Sequence, residues 1–250
     1  YKRPLAWAES SDGGQSLDAV AARYGEFVAA VIGRYGDAVS WDVCNEIAGT
    51  STLLRESFPM SRFGLDFVER LLHEARRHAP AAKLAINEND LECGDGDCRA
   101  KRDKVLKIVG DLKARGAPLD ALGIQSHLGS HRKPSPEATL ALVREVGGLG
   151  VEVYLSELDV NDSDLAADGR RRDDEVAAMY RDYLDTVLES RAVRRIVVWG
   201  LADSASWIAE GGARKRRDGQ RQRPALFDRA LARKPAYFQL LEALKGAAAR

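Results

Sequence analysis

The chain has 250 residues, a size that suits one domain, residues 1–250, with a full core. Its 38 basic and 38 acidic residues cancel to a net charge of zero, which gives no reason to expect nucleic acid as a partner. Its 45% hydrophobic content is that of a globular protein, and no apolar run approaches the ~20 residues that span a bilayer.

Short apolar runs alternate with segments of helical period. Pro4–Trp7 reads as the first strand. A helix follows, with Leu17, Val20, Tyr24, Phe27, Val28, Val31 and Tyr35 on one face, Ser16 as N-cap and Gly36 past its end. The second strand is Val39–Asn45. Phe63, Phe67, Leu71 and Ala75 mark the next helix, stopped by Pro80. Lys83–Asn87 is the third strand, and Val105, Ile108, Val109 and Leu112 carry a helix that ends at Gly116. Ala121–His127 is the fourth strand. Ser135 and Pro136 supply a cap and an N1 proline for a helix through Leu140 and Val143. The fifth strand, Val151–Glu157, leads to a helix on Val176, Tyr180, Tyr183, Leu184 and Val187. Ile196–Leu201 is the sixth strand, and Phe238, Leu241 and Leu244 carry the last helix. The intervening Gly211–Arg223, rich in Arg, Lys, Gly and Gln, reads as a solvated loop.

Strands alternating with helices imply parallel pairing and right-handed crossovers. The pattern allows a doubly wound sheet or a (β/α)₈ barrel, but no glycine-rich dinucleotide fingerprint follows the first strand. Polar residues gather where strands end: Asn45-Glu46, Asn87-Glu88, Gln125-Ser126-His127, and Glu157 with Asp159, while Trp199 lies in the last strand. In a parallel α/β fold those ends share one face, where active sites are built. A charged residue there must reach solvent or be paired, and a single one could serve merely as a helix cap. Several converging residues, two of them Glu, suggest a site, and two carboxyls can cleave a glycosidic bond, one donating a proton and the other attacking. Glu46 and Glu157 fall on the second and fifth strands, so only a closed barrel brings them face to face. Cys44 reads as a small buried residue; Cys93 and Cys98, five apart, form a local disulfide in an oxidising compartment or stay free in a reducing one.

Trp41-Asp42-Val43-Cys44-Asn45-Glu46 resembles the acid/base motif of the family 10 glycoside hydrolases, the endo-β-1,4-xylanases. Leu155-Ser156-Glu157-Leu158-Asp159 resembles that family's nucleophile segment, and Gly123–His127 its sixth-strand motif. Val198-Trp199-Gly200 through Ser206-Trp207 resembles the eighth-strand motif, and Pro224–Asp228 with Lys234–Tyr237 the C-terminal signature. A lone Asn-Glu is weak, but these motifs occur in the family's order along the chain. The resemblance implies a retaining, endo-acting hydrolase of xylan or xylo-oligosaccharides that is secreted, monomeric when full length, and needs no cofactor, metal or membrane. It makes Glu46 the acid/base, kept protonated by an apolar setting and the Glu157 charge, and Glu157 the nucleophile. His127 would hold Glu157 with Asp159 behind it; Asn45, Gln125, Asn87, Trp7, Trp199 and Trp207 would bind sugar. His127 and His131 have metal-ligand spacing, but no third ligand is evident.

The chain also departs from the family pattern. Pro4–Trp7 matches the family's third strand, so the resemblance implies that strands 3–8 are present and that two strand–helix units precede Tyr1. No signal peptide is visible in a chain that opens at Tyr1. Arg3 and Ala8 stand where the family usually has histidines, and Asn89 where it often has an aromatic residue, which bears on substrate choice. Another β-linked glycan, or a barrel that binds polysaccharide without cutting it, are the other readings.

Overall fold

A computed structural model describes residues 16–57, 59–211 and 214–248. The strand expected at Pro4–Trp7 lies outside the described residues, and with it Arg3, Trp7 and Ala8. The described residues carry six strands and seven α-helices. They fall into two compact units: one holds residues up to Glu88 together with Asp103–Leu122, the other holds Asn89–Arg102 and the chain from Gly123 onward.

The first unit begins with α1 (Leu17–Arg34), whose N-cap Ser16 accepts the Ala19 N–H at 3.2 Å as expected. Val20 and Ile32 are buried, but Phe27 and Tyr35 of the expected apolar face are exposed. β1 (Ser40–Asn45) follows, then a single helical turn α2 (Met60–Phe63) and α3 (Leu65–His78). Gly64, at φ 58°, separates the two helices, so Phe63 lies before α3 rather than on its face. Tyr24 meets Phe67 edge-on at 5.0 Å, joining α1 to α3. β2 (Lys83–Glu88) pairs in parallel with β1, and its register sets Asn45 beside Asn87. Leu84, Ala85 and Ile86 are fully buried, as a strand covered on both faces requires. Val105, Ile108, Val109 and Leu112, from α4 (Gly96–Ala114), are also buried in this unit. The first half of β3 (Ala121–Ile124) ends it, next to the Asp120 N–H bond to Leu84 O at 2.9 Å.

In the second unit the remainder of β3 lies beside β5 (Glu152–Asn161), which pairs in parallel with β4 (His127–Gly129) and β6 (Val193–Val198). The expected strand Ala121–His127 is therefore two strands. Ser126 sits at φ 61°, outside the extended region, and its hydroxyl turns inward to bond Ile124 O at 3.1 Å. The fifth strand runs four residues beyond the expected Glu157, because Val160 and Asn161 pair with Leu128 and Gly129 of β4. α5 (Pro136–Gly148) has its N-terminal proline, but Ser135 makes no side-chain cap; instead Thr139 Oγ1 donates to Ser135 O at 3.0 Å. α6 (Gly169–Val187) buries Val176, Tyr180, Tyr183 and Leu184 and packs against α7 (Pro235–Ala248).

The segment read as a solvated loop is exposed at most of its described positions yet pinned at two. Arg216 is buried, donating to Asp162 O at 2.5 Å and to Leu165 O and Ala166 O at 3.1 Å, and Gln222 accepts the Asp162 N–H at 3.2 Å. Five donors on a planar fork let an arginine close loop carbonyls that no helix or strand satisfies.

Candidate active site

The predicted site residues that the structure describes divide between the two units. In the first, Asn87 Nδ2 donates to Asn45 Oδ1 at 3.0 Å across the β1–β2 register. Glu46 follows at φ 54°, a backbone conformation uncommon for any residue but glycine. Its N–H bonds Asn87 O at 2.7 Å, which holds the turned backbone in place. The Glu46 side chain is 8% exposed, and its Oε2 accepts from Arg55 Nη2 at 2.9 Å. Next in the chain, the Ala48 N–H bonds the buried Glu88 carboxylate at 2.8 Å.

In the second unit, parallel register sets His127 of β4 beside Asp159 of β5. His127 Nδ1 lies 2.8 Å from Asp159 Oδ1, and Nε2 lies 3.2 Å from Glu157 Oε2. Both ring nitrogens face carboxylates, and carboxylates only accept, so the imidazolium form satisfies both contacts. Burial pulls the His127 pKa down, but the bonds and charges of Asp159 and Glu157 outweigh it and push it up to about 10. The other oxygen of Asp159 accepts the Trp207 indole N–H at 2.8 Å, and the Trp207 ring meets the His127 ring edge-on at 5.2 Å. Trp207 thus braces the histidine pair with its polar edge. Gln125 is buried between β3 and β4, and its carbonyl accepts the Glu157 N–H at 3.0 Å. Trp199, just past β6, is 46% exposed and ties its backbone N–H to Leu158 O at 3.1 Å.

Sequence reasoning missed Arg55, Glu92 and Asp203. Arg55 carries no periodic or motif signal, being nine residues beyond Glu46 in an irregular loop. Glu92 is buried; burial raises its carboxyl to about 7 despite the lowering effect of its own backbone N–H and of His127. Asp203 and Lys234 pair at 3.2 Å, both buried, and Lys234 also reaches Asp173 at 3.3 Å and Arg223 O at 2.6 Å. That lysine explains the C-terminal signature as a tie between segments. Cys93 and Cys98 are joined as a disulfide, with Cα atoms 5.7 Å apart. Asp90 brings a third ligand-type atom near the two sulfurs, but its carboxylate is engaged by Arg132 at 2.7 Å. Asn89, one of the departures, accepts from Lys101.

Glu46, just past β1 in the first unit, is thus met by the guanidinium of Arg55, and Glu157, within β5 in the second, by the imidazole of His127. The sequence model for glycosyl hydrolase family 10 matches residues 3–243, and the chain belongs to that family. It is 32% identical over 225 residues to endo-1,4-beta-xylanase A of Halalkalibacterium halodurans, covering 85% of this chain and 55% of the relative. It is 27% identical over 215 residues to exoglucanase XynX of Acetivibrio thermocellus, covering 85% of this chain and 18% of the relative. The crystal structure of xylanase 10B from Thermotoga maritima superposes with a TM-score of 0.82 at 25% identity, covering 98% of this chain and 72% of the other. The fold class is therefore the parallel α/β architecture of the (β/α)₈ barrel enzymes. Curated relatives are longer, and the chain spans from 17% to 55% of their length.

Proposed function

We propose that this chain is the catalytic module of a retaining, endo-acting glycoside hydrolase that cleaves β-1,4-xylosidic bonds in xylan. The observation that carries the reading is His127 held between Glu157 and Asp159. His127 there fixes and aims the Glu157 carboxyl, as a nucleophile must be aimed. Glu157 attacks the anomeric carbon while Glu46 passes its proton to the departing glycosidic oxygen. Water then displaces Glu157, with Glu46 taking the water's proton. Asn45, next to the acid, supplies an amide for the sugar 2-hydroxyl, a contact that strengthens as the oxocarbenium character grows. Gln125 and Asn87 bind the sugar at the cleavage point, and Trp199 offers an exposed ring to an apolar sugar face. Trp7 is assigned the same role. Trp207, bonded through its indole N–H, supports the His127–Asp159 pair and offers its remaining face to substrate.

The xylanase relative and the xylanase structure support xylan as substrate. The exoglucanase relative favours a second reading, a glucan-cleaving enzyme of the same family. The Cys93–Cys98 disulfide supports a secreted enzyme, since such bonds persist in oxidising compartments. Product profiles of the full-length protein on xylan, mannan and cellulose test the assignment. Xylo-oligosaccharides of mixed length are expected; cellobiose from cellulose, with xylan untouched, would favour the second reading.

A further inference from the structure

The loop after Glu46 is built to return one side chain to it. Ala48 and Leu54 form an antiparallel bridge, and the Gly49 N–H bonds Leu53 O at 3.1 Å. The Arg55 N–H bonds Ile47 O at 2.7 Å, which closes the loop beside the strand end. Gly49 has no room for a side chain, since a Cβ there would lie 2.5 Å from Leu54 O. Lys104 Nζ anchors the loop tip through Gly49 O at 3.1 Å and Thr50 O at 2.5 Å. This fold brings the guanidinium of Arg55, 44% exposed, onto the buried Oε2 of Glu46.

We infer that Arg55 is a positioning residue that holds Oε2 of Glu46 and so makes Oε1 the oxygen that transfers the proton. The inference rests on the reading of Glu46 as the acid/base. A guanidinium N–H needs a lone pair on the oxygen it meets, and a proton on Oε2 would point at that N–H. The neutral acid therefore carries its proton on Oε1. In the first step that proton moves to the glycosidic oxygen, which keeps the electron pair of the breaking bond to the anomeric carbon. In the second step water bonds to that carbon, its proton goes to Oε1, and Glu157 leaves with its electron pair. In this role Arg55 is assigned no contact with the substrate or the moving proton. It fixes which oxygen faces them, and the planar fork of arginine suits that task better than an ammonium.

The test uses the full-length protein and aryl β-xylobiosides whose leaving groups run from dinitrophenol to unactivated phenol, alongside xylotetraose. Arg55→Leu is expected to lower kcat about 10–100-fold on the poor leaving groups and only a few-fold on dinitrophenol, with KM on xylotetraose nearly unchanged, because only poor leaving groups need the proton. Arg55→Lys should fall between. If Arg55→Leu does not fold, as read by its circular dichroism and melting curve, the same comparison is made with Arg55→Lys. Equal loss across all leaving groups, or no loss, overturns the proposal. Glu46→Ala is run in parallel. Should its loss also be independent of leaving group, the assignment of Glu46 as the acid fails. If Glu46→Ala is selective and the Arg55 variant is not, only the role of Arg55 falls.

Discussion

At the scale of single residues, the account turns on which groups hold charge. Glu157→Ala removes the proposed nucleophile and is expected to abolish turnover on every substrate. Glu46→Ala should cost about 10²–10⁴-fold on unactivated xylo-oligosaccharides, spare glycosylation by activated substrates, and recover deglycosylation with added azide. Steady-state rates on both substrate types, with and without azide, check this; equal losses would contradict the roles. His127 makes a separate expectation about pH. Its pKa rises on folding from 6.5 to about 10, so the folded state binds its proton more tightly than the unfolded chain. The stabilisation is fully present below the unfolded value near 6.5 and declines as pH rises to about 10. Thermal melts of wild type and His127→Asn across that window should converge as pH increases. A constant gap between them would mean that the imidazolium is not what stabilises the pair.

At the scale of elements, the break between β3 and β4 is held by one buried hydroxyl pair. Ser126 Oγ donates to Ile124 O, which leaves Tyr183 the donor in its 2.9 Å contact with Ser126. Tyr183→Phe removes that donor from a fully buried site and is expected to cost about 1–3 kcal/mol. With Ser126→Ala added, the loss should be less than additive, as denaturant melts of the cycle would read. Full additivity would show that the two groups are not coupled. This break also shows what the sequence hides. Apolar runs marked β2, β3 and β5 because their burial favours Val, Ile and Leu, whereas β1 and β6 are only partly buried. Such runs could not mark Ser126, whose positive φ depends on a tyrosine 57 positions away. The catalytic candidates were legible for a different reason: Asn45, Glu46, His127, Glu157 and Asp159 lie within short motifs. Arg55, Asp203 and the inward turn of Arg216 are set by tertiary partners, so no local pattern announces them.

At the scale of the whole molecule, two features govern behaviour. Lys234 neutralises Asp203 and Asp173 where the C-terminal segment meets α6 and the turn after β6. Lys234→Met leaves the buried Asp203 without its cation, while Asp173 keeps Arg223, and is expected to cost about 3–5 kcal/mol, a large part of a typical stability of ~5–15 kcal/mol. A melting temperature unchanged by this substitution would show that the cluster contributes little. The other feature is apolar exposure at Val197 of β6 and at Trp199 and Leu201 just past it. Such exposure promotes association, so the 250-residue chain alone should scatter light increasingly with concentration, whereas a monodisperse monomer would contradict this. The central claim is that Glu157 forms the bond to sugar. The most direct measurement is to inactivate the full-length enzyme with a 2-deoxy-2-fluoro-xylobioside carrying an activated leaving group, then digest it and sequence the labelled peptide by mass spectrometry. The account expects one fluoro-xylobiosyl group per molecule on Glu157; label on another residue, or turnover with no covalent adduct, would contradict it.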